Sequence, residues 1–148
     1  MEFNGVPLHP LVIHVAVVFV PLAVLAALGH ALVPRWRTRL RWPLLVAGLI
    51  AAASTQLAAM TGDQLKHDRH LGGPLVEQHE MWAGRLQFGA WVLAALAVLA
   101  VIPALRRPGV AQTVLMVLLP VVAVVDAYLV YQTGDAGARA VWQAGSGS

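Results

Sequence analysis

Apolar residues in this chain are gathered into four long blocks, Leu11–Val33, Leu44–Met60, Leu86–Leu105 and Val110–Val130, each about the length that a helix needs to cross a lipid core of about 30 Å. No soluble core of this size has room for them. Of the 148 residues 59% are apolar and 11% charged, more apolar surface than one small domain buries. The fold class expected is all-α: a four-helix transmembrane bundle forming one domain over residues 1–142. Residues 143–148 are read as a tail, in which Gly145-Ser-Gly-Ser148 looks like a linker scar. Met1–Pro10 carries no Lys or Arg and no cleavage signature follows the first block, so that block is expected to stay in the membrane as a helix.

Charge gives the orientation. Arg35, Arg37, Arg39 and Arg41 lie between the first two blocks, and Arg106 and Arg107 between the last two, with no acid among them. These loops are expected in the cytoplasm, which puts both termini and the stretch Thr61–Arg85 outside, together with all seven acids. A bacterial inner-membrane protein with extracytoplasmic termini follows. The basic residues form short clusters between apolar blocks, not a stripe, so nucleic acid is not a partner; the lipid bilayer is.

Cysteine is absent, which excludes disulfides, thiolate zinc sites, cysteine-held clusters and covalent c-type haem. Any cofactor must be held by histidine, carboxylate or packing. Of the six histidines, His9, His14, His67, His70 and His79 fall in or near the outer half, and only His30 near the other end. His14 stands three residues inside an apolar block, where a polar group without a partner is costly and marks a candidate site.

Two features suggest related hairpins. Thr61-Gly-Asp63 follows the second block and Thr133-Gly-Asp135 ends the fourth, each glycine suited to a left-handed helix cap. His14 and His79 stand as far apart in sequence as Pro43 and Pro108, which open the even spans. A pseudo-twofold axis along the membrane normal would make His14 and His79 mates facing each other, with Asp63 and Asp135 beside them.

Two opposed imidazoles suit a b-type haem held by bis-histidine ligation, or a Cu or Zn ion completed by carboxylate or water. Gly84 and Gly89 would give a flat group room, and Arg85 would pair with propionates; a buried Arg85–Asp126 ion pair is the ordinary alternative. A second metal candidate is the cluster Asp63, His67, His70, with His79 nearby. A diheme wire is excluded, because His14 and His30 point about 160° apart around one helix, at about 100° per residue. Pro21 and Pro120 are expected to kink their helices. No nucleophile elbow, phosphate loop or H-E-x-x-H motif is present.

Gly5-Val-Pro-Leu-His-Pro10 with Val12-Ile-His14, the Thr-Gly-Asp of the second span, the histidine opening the third and Leu129-Val-Tyr-Gln-Thr-Gly134 resemble a family of small bacterial four-span membrane proteins classed as a domain of unknown function. Its layout is similar to that of four-helix b-type cytochromes. The likeness implies haem ligation by His14 and His79, with His9 as a substitute. The function expected is electron exchange with a partner protein or a quinone at the outer face. An accessory subunit of a membrane complex, a Cu/Zn-binding module and a homo-oligomer stay open as alternatives.

Overall fold

The computed structural model describes residues 2–3, 6–70 and 72–144, and side chains over 9–68, 70 and 72–142; the tail from Gly145 lies outside them. A two-residue antiparallel pair, β1 (Glu2–Phe3) with β2 (Val6–Pro7), precedes four helices: α1 (Leu8–Leu32), α2 (Arg37–Arg69), α3 (Pro74–Val101) and α4 (Val110–Ala144). Each helix is long and apolar enough to cross a membrane. They form a square in chain order, in which α1 and α3 pack against α2 and α4 but scarcely touch across the diagonal.

The interior is built from small residues: Ala16, Ala23, Ala27 and Ala31 on α1, Ala47, Ala51 and Ala52 on α2, Ala90, Ala94 and Ala97 on α3, Ala123 on α4. Leu44, Leu93 and Leu119 are fully buried among them, while many other large apolar side chains point outward, Phe88 being 73% exposed. Lipid permits that exposure, since acyl chains solvate large side chains as well as the interior does, and helix contact then depends on close backbone approach. Gly48 shows the approach directly: a Cβ there would lie 3.5 Å from the Ala94 Cα on α3.

The spans are longer than the apolar blocks. α2 runs through Gly62 to Arg69, about 50 Å at 1.5 Å per residue, well beyond a lipid core of about 30 Å. The caps expected at Gly62 and Gly134 are not formed, because both glycines lie inside continuous helix. Gln64, Leu65 and Lys66 favour helix and no breaker follows until Gly72-Gly73-Pro74. The turn is there: His70 caps α2 in the left-handed conformation with Nδ1 donating to the His67 carbonyl at 2.9 Å, Gly73 takes φ 119°, and Pro74 opens α3. Pro43 likewise falls inside α2 and does not open it, and Pro21 and Pro120 lie inside unbroken α1 and α4.

Two charge regimes divide the bundle. At the acidic end Lys66 Nζ meets Glu80 Oε2 at 2.7 Å across the α2–α3 hairpin, and Arg139 pairs with Asp135 at 2.9 Å within α4. At the arginine end no ion pair forms among the described residues. The Lys66–Glu80 pair is over one-third exposed, so Lys66→Met should change stability by less than about 1 kcal/mol, read as a small shift of the thermal midpoint in detergent.

Candidate functional site

α1 begins at the acidic end, and its second residue, His9, is half-buried against α2. His9 Nδ1 lies 3.1 Å from Thr61 Oγ1, and its Cε1 sits 3.0 Å from where a Cβ on Gly62 would be. The Thr61 hydroxyl has one proton, and it points into its own helix, 2.8 Å from the Leu57 carbonyl and 3.2 Å from that of Ala58. Its oxygen is therefore the acceptor, and His9 Nδ1–H the donor.

The second hairpin also ties a histidine to its neighbouring helix, but through a backbone acceptor. His79 on α3 donates from Nδ1 to the Thr133 carbonyl on α4 at 3.0 Å, and its ring packs 3.1 Å from a Cβ position on Gly137. Thr133 turns its hydroxyl back to Leu129 at 2.7 Å, as Thr61 does to Leu57. A carbonyl can only accept, so His79 too carries its proton on Nδ1. In the neutral form of either ring Nε2 then carries the lone pair, the arrangement in which metal-ligating histidines are held by a bond from the other nitrogen.

His14 is placed otherwise. Its ring is exposed on the outside of α1, and Nδ1 bonds the Pro10 carbonyl of its own helix. His14 therefore does not turn inward as the expected pairing with His79 requires, and the half-buried histidine of α1 is His9. Arg85 is exposed, with its guanidinium 4.8 Å over the Trp82 ring, which in turn meets Tyr128 edge-on at 6.0 Å. The expected Arg85–Asp126 ion pair is not formed: Asp126 is fully buried and neither carboxylate oxygen has a partner among the described residues. The reason is angular, since Arg85 lies one residue, about 100°, off the face of α3 that carries Leu86, Gly89 and Leu93 inward.

Asp126 sits on Gly89 instead, with its Cγ 3.1 Å from the position of an added Cβ. The seat for a flat group expected at Gly89 is therefore taken, while Gly84 faces open space. Asp63, His67 and Asp68 share an open groove on α2, and His70 is drawn into the α2 cap. No three metal-ligating side chains converge there or elsewhere among the described residues. The sequence reading missed Gly89 as the seat of Asp126, and drew from the two Thr-Gly-Asp motifs only glycine caps, where the Thr61 hydroxyl and the Thr133 carbonyl bond histidines.

A tie of amides joins α2 to α3 deeper in the bundle. Gln87 Nε2 donates to Gln56 Oε1, which also accepts from Trp91 Nε1 at 3.3 Å. Buried Ser54 and Thr55, by contrast, spend their hydroxyls on carbonyls of their own helix, at 3.0 Å from the Ala51 oxygen, and are free for no other helix.

No curated protein and no solved structure matches the chain. A model of the family described as predicted membrane protein, DUF2231, matches residues 5–148, nearly the whole length. With four membrane-length helices in one bundle and that match, the chain belongs to the DUF2231 family of integral membrane proteins.

Proposed function

We propose that this protein holds one redox-active metal centre, b-type haem in the first place, between His9 and His79, and exchanges electrons with a partner protein or a quinone at that face of the membrane. The observation that carries the proposal is the matched pair of imidazoles, each bonded through Nδ1 to a neighbouring helix and each left with a ligating Nε2. In a chain without cysteine, His9 and His79 would be the residues to hold a haem, or a Cu or Zn ion completed by water. When bound, such a centre would supply one-electron chemistry. The protein's part is to fix both rings in one tautomer and to hold the helices that carry them against α2 and α4.

The arginine clusters at the opposite end support a reading with that end in the cytoplasm and the histidine pair outside, in a bacterial inner membrane. Arg85, stacked on Trp82 at the same end of α3, is the cation available to an anionic cofactor edge. An accessory-subunit reading takes the His9–Thr61 and His79–Thr133 bonds as helix ties and nothing more.

An absorption spectrum of the chain, purified in mild detergent from haem-supplied cells, separates these readings. The expected result is a Soret band that shifts on reduction, lost in His9→Gln and in His79→Gln and kept in His14→Gln. Stoichiometric Cu or Zn without a Soret band identifies a metal-binding module. Neither metal nor porphyrin in the folded wild-type chain refutes the cofactor and leaves the ties.

A further inference from the structure

At the arginine end the helix termini enclose a cavity of about 280 Å³, whose polar lining is His30, Arg37, Thr38, Arg41, Arg106 and Gln112. We infer that it is a binding site for a phosphate group, the headgroup of an anionic phospholipid or a free phosphate, built from four segments of the bundle.

Charge balance is the first argument. Three arginines, Arg37, Arg41 and Arg106, line one space and no acid does. The first turns of α2 and α4, which start beside it, hold no acid either, so the positive ends of two helix dipoles add to the field. Arg37 and Arg41 lie one turn apart on α2, and like charges so placed repel unless an anion joins them.

Burial is the second. His30 is 4% exposed and its Nδ1 has no partner among the described residues. Arg37 Nε and Arg41 Nε are buried and likewise without a partner. Arg37 spends one terminal nitrogen on the Ala31 carbonyl at 3.3 Å, which anchors the side chain and leaves its other N–H groups unspent. Buried donors without acceptors are rare in folded proteins, because each forfeits its hydration. Several around one cavity form a donor set for an anion with several oxygens, and the guanidinium fork matches phosphate.

Depth is the third. Trp36 and Trp42 flank these arginines and are 43% and 56% exposed, the placing of an interfacial aromatic belt, so the cavity opens where lipid phosphates lie. Arg39 and Arg107 belong to the same clusters but are exposed and do not line it.

The full chain in detergent is titrated with inorganic phosphate in one arm and with dihexanoyl phosphatidylglycerol, against dihexanoyl phosphatidylcholine, in the other, reading the thermal midpoint. A saturable rise is expected. In Arg37→Gln/Arg106→Gln half-saturation should move up by about tenfold or more, the size of one or two lost charge-assisted bonds, while Arg39→Gln/Arg107→Gln stays within about threefold. Should the first pair not fold, Arg106→Gln alone, in the exposed turn before α4, takes its place. Saturation by phosphate, with the two lipids alike, assigns a free anion; saturation by phosphatidylglycerol alone assigns a headgroup. No saturable rise in either arm, or an equal loss in both double variants, overturns the site.

Discussion

Gly89→Ala is expected to destabilise the bundle by about 2–3 kcal/mol, seen as a fall of roughly 5–10 °C in the thermal midpoint. A methyl there would collide with Asp126 Oδ1, lie 3.1 Å from its Cγ and 3.5 Å from Leu129 Cδ1. Asp126 cannot step aside, because it is fully enclosed between α3 and α4. The better helix propensity of alanine returns about 1 kcal/mol, too little to offset overpacking on a fully buried seat. Asp126→Ala removes the colliding atoms, so Gly89→Ala/Asp126→Ala should be more stable than the sum of the two single effects by about 2 kcal/mol. Unfolding midpoints of the four proteins in one detergent decide it. If the double variant shows no such coupling, the two residues do not meet.

Much of the bundle can be read from hydrophobic length alone. The four spans and the arginine-rich end follow from block length and loop charge, because lipid imposes those constraints on every helix. What block length does not give is the helix face. On α1 the inward stripe is Ala16, Val20, Ala23 and Ala27, and His9 stands two turns before Ala16 on that stripe, whereas His14 stands two residues before it, on the far side. His79 stands two turns before buried Leu86 in the same way. Tracking small residues at helical spacing selects His9 for the inward face, whereas depth in the apolar block selects His14, whose ring is exposed. Gly62 and Gly137 were hidden for another reason. A glycine needed for positive φ and a glycine needed for close approach look alike in a sequence, and here an imidazole covers each. The seat of Asp126 was hidden because an acid and a basic residue on adjacent spans invite pairing by depth, while rotation about each helix decides whether they meet.

Asp126→Asn is expected to raise stability, by about 1–2 kcal/mol and roughly 3–6 °C. The carboxyl group is fully buried in the membrane-spanning part of α4 and neither oxygen has a partner among the described residues. An ionisable group in that setting costs more to bury than an amide of the same shape. Asparagine keeps the contact with Gly89, so packing is unchanged and the difference reports the burial cost. The buried hydroxyls of Ser54 and Thr55 offer no donor either, because both donate to carbonyls of α2. A residue that weakens the fold where an isostere would not is a candidate working group, and the comparison that matters is between stability and cofactor content. A more stable Asp126→Asn with an unchanged cofactor spectrum would separate Asp126 from the histidine pair, which lies nearer the end of the bundle. A fall in midpoint of similar size would show instead that the carboxyl group is paired in the assembled membrane protein, and that the orphaned state is not the one that folds.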